Sequence, residues 1–355
     1  MKVEVLFITH DLKPYRIPIF NRISDDDSIN LTIAHSGASS NYLNPCINEI
    51  KLDLKQLGSF KYFENKLSTL IPNFDVVVCT FYVMNLSFLK LALNPFRKYK
   101  MIFWGIGVRA SYKHKFDAKT PVNYLRYLLA KESDAMIFYS DYARNKFMRR
   151  GFPPEKLFVM QNTVEVIEVP NKSSKKDKIL FVGSLYKGKM VFELLYAFQE
   201  ARLKMPSTPR LYIVGNGSEY KAIEKWIENT SNQDNIILHG SEFNEQILSE
   251  LFQTSIACIS PGQAGLTVLK SFGYGVPFIT QEDAITGGER LNIVNGVNGL
   301  LYKEEEELVE IMVDLSLNPD KYTKMGQNAR EFYFKKRTPE IMAQGFIDAI
   351  DYVVK

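Results

Sequence analysis

Short, near-continuous runs of Val, Ile, Leu and Phe recur along this chain, and they limit its fold more than any other feature. The first is VEVLFIT (3–9), followed by LTIAHS (31–36), DVVVCTF (75–81), KMIFWG (100–105), AMIFYS (135–140) and KLFVMQN (156–162). After a gap come KILFVGS (178–184), RLYIVGNG (210–217), NIILHG (235–240), IACISPG (256–262) and VPFITQE (276–282). Runs without polar alternation suit strands buried on both faces of a parallel sheet. Parallel neighbours need crossovers, and the intervening segments are long enough for helices. One of them, VFELLYAFQEARLKM, repeats its apolar positions at helical spacing. The fold class is α/β.

The 355 residues exceed the size at which a single core stops growing, so two domains are expected. The seam is EVIEVPNKSSKKDK (165–178), polar and holding Pro170, Lys172, Lys175, Lys176 and Lys178. It separates residues 1–165 from residues 178–335. The tail, 336–355, has helical period after Pro339 and is expected to pack back toward the N-terminal half. Open α/β sheets bind ligands at the carboxyl ends of their strands, and two facing sheets would enclose a cleft.

Composition excludes several classes. With 46% apolar and 13% aromatic residues the chain can build real cores, which argues against wholesale disorder. A net charge of +4 is mild, so no nucleic-acid partner is expected. Cys46, Cys79 and Cys258 are scattered and form no CxxC or Cys/His cluster. Neither a disulfide framework nor a metal site is expected from them. The start, MKVEVLFITHD, turns polar too soon for a signal peptide, and no run of about 18 apolar residues occurs. A reducing, cytosolic compartment is the expectation.

Residues 259–280, ISPGQAGLTVLKSFGYGVPFIT, read as strand, turn, helix and strand. On these residues alone the turn is either a phosphate cradle or an ordinary βα corner. The wider pattern resembles the GT-B-fold retaining glycosyltransferases of family 4, the glycosyl transferases group 1. VGSLYKGKMVFELLYAF matches the family's opening of its C-terminal domain at Gly183, Leu185, Lys189, Leu194, Leu195, Ala197 and Phe198. LYIVGNGSE is similar to "L.IVG.GPE", and IVNGVNGLLY to "I.DG.NGLLV". IILHGSEFNEQILSELFQTSIACISP and the 259–280 stretch follow the family's order, and SDYARNKFMRRGFPPEKLFVMQNTV resembles its approach to the linker. ITHDLKPYRIPIFNRI is similar to the N-terminal strand and loop of members that build surface polysaccharides.

The resemblance implies transfer of a sugar from a nucleoside diphosphate sugar, with uridine the expected nucleoside, with retention and without cofactor or bound metal. The donor would sit on the C-terminal half and the acceptor on the N-terminal half. Negative charge grows on the leaving diphosphate, and main-chain amides with a cation would neutralise it. Gly262, Ala264, Gly265, Leu266 and Thr267 would supply the amides, and Lys189 the ammonium. Gly183, Ser184, Gly215 and Gly217 belong to the same donor-side set; Ser184 stands where the family has arginine, with Lys187 a candidate substitute. The plain alternatives are tight turns and a solvated lysine.

Three departures from the family are visible. Its two glutamates, eight positions apart, fall here on Gly262 and Lys270, and its histidine falls on Ile106. Lys270 would donate to the nucleotide rather than accept, or leave the site. Glu282, Asp283 and Glu289 are the nearest carboxylates that could replace the two glutamates, with Glu289 preferred because it follows Gly287-Gly288 in a loop; His10 is the candidate for the missing histidine, so Lys189, Glu289 and His10 are the catalytic candidates. Asp11, Arg16 and Arg109 are the acceptor candidates. The stretch RASYKHKFDAKTPVNYLRYLLAK (109–131), with Lys113, Lys115, Lys119, Arg126 and Lys131, suits either an anionic membrane surface or a crossover helix with a solvated basic side. The expected acceptor is a surface glycan such as capsule or O-antigen, or its lipid-linked precursor, with the enzyme cytoplasmic and peripheral at the inner face of the membrane. Two rivals remain: a nucleotide-sugar 2-epimerase of the same fold, and a degenerate relative that only binds nucleotide or glycan.

Overall fold

The computed structural model describes residues 2–64, 66–110, 116–167 and 176–355. Pro170, Lys172 and Lys175 of the seam, and Lys113 and Lys115 of the basic stretch, lie outside the described residues. The chain divides into two compact units: the first is Met1–Arg109, Asp117–Val164 and Arg337–Lys355, and the second is built on Glu165–Lys336.

Unit 1 contains β1 (Val3–Ile8), β2 (Ile29–His35), β3 (Asn48–Lys51), β4 (Leu54–Leu57), β5 (Phe60–Phe63), β6 (Val76–Thr80), β7 (Lys100–Gly105), β8 (Ala135–Phe138) and β9 (Leu157–Val159). Its helices are α1 (Ile17–Ser24), α2 (Lys66–Leu70), α3 (Leu86–Ala92), α4 (Val122–Lys131), α5 (Asp141–Met148) and a C-terminal helix, Pro339–Val354. Seven strands form one parallel sheet in the order β3-β2-β1-β6-β7-β8-β9, while β4 and β5 make a separate antiparallel hairpin. The central strands are apolar throughout because both faces are covered: Val76–Cys79 and Met101–Trp104 are buried. The C-terminal helix joins this core directly. Phe346 packs on Trp104 with ring centroids 5.0 Å apart, and Trp104 on Phe7 at 4.7 Å.

Unit 2 contains β10 (Lys178–Val182), β11 (Arg210–Val214), β12 (Ile236–Gly240), β13 (Ser255–Ile259), β14 (Gln263–Ala264), β15 (Phe278–Gln281), β16 (Ile285–Thr286) and β17 (Gly299–Tyr302). Its helices are α6 (Val191–Lys204), α7 (Tyr220–Asn229), α8 (Glu245–Gln253), α9 (Thr267–Gly273), α10 (Glu305–Leu317) and α11 (Pro319–Lys336). The main sheet is parallel with order β12-β11-β10-β13-β15-β17. Counted within the unit this is 3-2-1-4-5-6, a doubly wound order whose direction reverses between β10 and β13. The first six strands of unit 1 follow the same order once the hairpin is set aside, reversing between β1 and β6.

All eleven expected strands are present. The β4–β5 hairpin, β3 and the two-residue pair β14–β16 were not expected, and β17 was read only as a motif. β4 is mostly exposed and β3 and β5 are only partly buried, so none carries the continuous buried apolar run of the other strands. Cys79 and Cys258 are buried and unpaired, and Cys46 is exposed.

Candidate active site

In unit 2 the reversal point lies between the loop after β10 and the turn after β13. The loop Gly183–Lys189 is zipped onto the end of β11: Gly183 N donates to Val214 O at 2.9 Å, and Leu185 N to Asn216 O at 2.9 Å. Gly215 and Gly217 make this possible. A Cβ on Gly215 would lie 1.8 Å from Gly183 O, and one on Gly217 2.2 Å from Leu185 O. Both glycines therefore face the backbone of the loop.

The loop ends by turning Lys189 inward. Lys189 is only 7% exposed, and its Nζ lies 3.0 Å from where a Gly183 Cβ would be. Met190 follows in the left-handed region at φ 55°, a costly conformation for a long side chain, and α6 starts there. Burial pushes the Lys189 ammonium from its ordinary 10.5 down to about 8. No carboxylate among the described residues offsets this; the opposing influence is the buried Cys258 thiol on β13.

The turn after β13 meets this loop. Gly262 N donates to Lys189 O at 3.2 Å, and Thr267 Oγ1 lies 3.5 Å from Val182 O. The amides of Gly265, Leu266 and Thr267, at the start of α9, donate to no acceptor among the described residues. Space beside Gly265 is open, with nothing within 4 Å of a notional Cβ. Ala264 is buried in β14 and Ser184 is exposed. The result is a buried, unpaired cation beside a row of unused N–H groups, the arrangement an anion requires.

Lys270 does not point into this arrangement. Its Nζ pairs with Glu245 Oε1 at 2.5 Å, at the start of α8, and Tyr274 Oη lies 3.5 Å from the other carboxylate oxygen. Glu289 is buried, and its carboxylate accepts from Gly287 N at 2.9 Å and from the Thr286 hydroxyl at 3.3 Å. Lys187 lies near Glu219, whose carboxyl is held above its usual range by burial first and Glu193 second. Sequence reasoning missed Glu245: an acid at the start of a helix is commonplace, and its partner is 25 residues away.

In unit 1 the reversal point holds His10, after β1, and Asn85, after β6. Asn85 Oδ1 accepts from Ser87 N at 2.9 Å and from Phe88 N at 3.2 Å, capping α3. That fixes the amide's orientation, so its Nδ2 donates to His10 Nε2 at 2.9 Å. His10 Nε2 is therefore an acceptor and the proton sits on Nδ1. Phe63, Tyr82 and Phe88 surround the ring, and burial with Lys61 pushes its pKa down to about 4. His10 is a neutral donor through Nδ1. Asn85→Asp keeps the cap but replaces the donor with an acceptor, and should raise the His10 pKa by about 2 units. An NMR titration of the imidazole checks this; a pKa still near 4 would refute the assigned tautomer.

Asp11 is half exposed and pairs with Lys13 at 3.1 Å. Arg16 is committed to aromatic partners: its guanidinium stacks over Trp104 at 4.4 Å and donates to Tyr139 Oη at 2.8 Å. Arg109 is half-buried and close enough to Arg126 to depress the latter's pKa, after burial. Among the described residues no group of three or more His, Cys, Asp or Glu is placed to hold a metal ion.

Residues 163–332 match the family model described as glycosyl transferases group 1. That stretch is a little under half of the chain. The likeness in fold covers the whole chain: TarM superposes with a TM-score of 0.73 at 12% identity, over 99% of each chain. HepE of Anabaena, in complex with UDP, gives 0.69 at 14% identity, over 99% of this chain and 100% of that one. The fold is thus GT-B. Among curated proteins, the poly(glycerol-phosphate) alpha-glucosyltransferase of Bacillus subtilis (strain 168) is 25% identical over 217 residues, 58% of this chain and 31% of its own length. The chain spans only 31% to 50% of the length of the curated relatives it matches.

Proposed function

We propose that the protein transfers a glycosyl residue, with retention, from a uridine diphosphate sugar bound on unit 2 to a saccharide or lipid-linked saccharide bound on unit 1. The observation that carries this is Lys189: a buried ammonium with no carboxylate partner among the described residues, beside unused amides at the reversal point of a doubly wound sheet. Bringing a diphosphate to it replaces lost hydration with charge-assisted hydrogen bonds. Support comes from the fold neighbours: a TarM variant of S. aureus in complex with UDP, and HepE of Anabaena in complex with UDP-glucose.

The chemistry follows from what each group can do. The bond from the sugar's C1 to phosphate oxygen breaks while the bond to the acceptor oxygen forms. Lys189 and the 265–267 amides take up the charge on the leaving diphosphate. His10, neutral and with Nε2 occupied, orients the acceptor by donating from Nδ1. The departing phosphate oxygen accepts the acceptor's proton. No divalent cation is needed in this reading, and chelator should leave the rate unchanged.

The acceptor side suits a membrane surface. Helix α4 exposes Val122, Leu125 and Leu128 on successive turns with Tyr124 beside them, bracketed by Lys119 and Lys131. Among the described residues no helix is long and apolar enough to cross a membrane.

A thermal-shift panel tests the donor claim. UDP at 100 times its Kd should stabilise the fold by about 2.7 kcal/mol, with ADP and GDP giving less. No shift with any nucleotide would remove the donor site.

A further inference from the structure

Unit 1 contains a cavity of ≈ 880 Å³, of the size that holds small-molecule ligands elsewhere (about 300–1,000 Å³). It runs beside α3, with α2 and the Ile71–Asn73 turn as the other wall. Phe63, the ring that also packs on His10, and Ser87 are part of its lining. Leu67, Phe74, Leu91 and Tyr99 line it too.

Two of its polar wall groups, Ser87 and Tyr99, are already used. Ser87 Oγ accepts from Phe63 N at 2.8 Å, and Tyr99 Oη donates to Leu91 O at 2.9 Å. Between them the wall is mainly apolar, through Phe63, Leu67, Ile71, Phe74 and Leu91, and offers hydrocarbon contact.

At the mouth, Leu93 is 60% and Phe96 88% exposed, in a loop that also carries Lys98, while Lys90 projects from α3. Lys90 and Lys98 are exposed, with no acidic partner among the described residues. Glu64, the acid on the cavity wall, is paired to Lys55 at 3.7 Å. Arg97 then ties the mouth to the end of α4: it pairs with Asp134 at 2.5 Å and donates to Glu132 O at 2.9 Å. The exposed apolar face of α4 and the mouth thus share one region of unit 1.

We propose that this cavity takes the hydrocarbon chain of a phosphate-headed lipid, with Lys90 and Lys98 meeting the head group and Phe96 and Leu93 entering the membrane surface. The site holds whether or not that lipid is the transferase's acceptor, and failure of the transfer reaction would leave it untouched.

Calorimetry on the full chain tests it with octyl, decyl and dodecyl phosphate below their micelle concentrations. Burial of the chain predicts an affinity gain of about fourfold per added CH₂. Leu91→Trp, which fills the cavity, should weaken dodecyl phosphate at least about tenfold. Should that variant fail to fold, Leu93→Ser with Phe96→Ser, both at exposed positions, should weaken it too. Lys90→Gln with Lys98→Gln should bring dodecyl phosphate down to the level of dodecyl maltoside. Inorganic phosphate alone should not bind. The proposal is overturned if affinity ignores chain length, if inorganic phosphate binds as tightly as dodecyl phosphate, or if the cavity and mouth variants bind normally. It is equally overturned if dodecyl phosphate does not bind and sedimentation shows a dimer that Phe96→Ser dissociates, since the face would then serve a second copy of the chain.

Discussion

Lys189→Met is expected to lower turnover by about 10²–10³-fold and, at the same time, to raise the melting temperature of the ligand-free protein. The two effects share one cause. The unfolded chain keeps the Lys189 proton up to 10.5, the folded chain only to about 8. Between those values the unfolded state binds more protons, so stability rises with pH through that window. Below about 8 both states are charged and the penalty for burying the ammonium is complete, on the order of 3 kcal/mol. Methionine removes it. Melting curves of both proteins should differ most at neutral pH and converge as pH approaches 10.5. A diphosphate would restore the ordinary affinity for the proton, so UDP binding near pH 8–9 should take up protons, visible as a buffer-dependent heat. A variant that keeps its turnover, or melts lower at pH 7, contradicts the role given to Lys189.

Placing a glutamate at the turn, Gly262→Glu, is expected to abolish the proposed transfer rather than improve it. A Cβ there would lie 2.4 Å from Gly188 O and 2.7 Å from Met190 Cγ. The obstruction includes backbone, so the turn carrying Lys189 must move. The cost in stability should be about 1–3 kcal/mol, with turnover falling as far as in Lys189→Met. Gly265→Ala, in open space, is the control and should melt like the parent. Melting curves and a transfer assay read both. If Gly262→Glu melts and turns over like the parent, the close approach of the two loops is wrong. Lys270→Glu would fare no better, because the new carboxylate would face Glu245, now 2.5 Å from the ammonium it replaces.

These two positions show what was legible beforehand. The strands were readable because burial on both faces of a parallel sheet leaves no polar alternation. Lys189 was readable by its register with Gly183. Its burial was not, because that depends on how the β11 end and the Gly262 turn close over it. The replacement of the glutamates was only half visible: their absence shows in the residues, while the Lys270–Glu245 pair depends on packing between α8 and α9 that no local pattern encodes. His10 was found by its place after β1. Its protonation state follows from Asn85, 75 residues away, whose orientation is set by capping a different helix.

The C-terminal helix has a consequence for biosynthesis. Phe346 completes a core whose other members, Phe7 and Trp104, leave the ribosome far earlier. Glu165–Lys336 can reach its native state while still being translated, whereas the earlier-made half must wait, with apolar surface uncovered, for residues 337–355. During that interval it is the half that chaperones would hold and proteases would find.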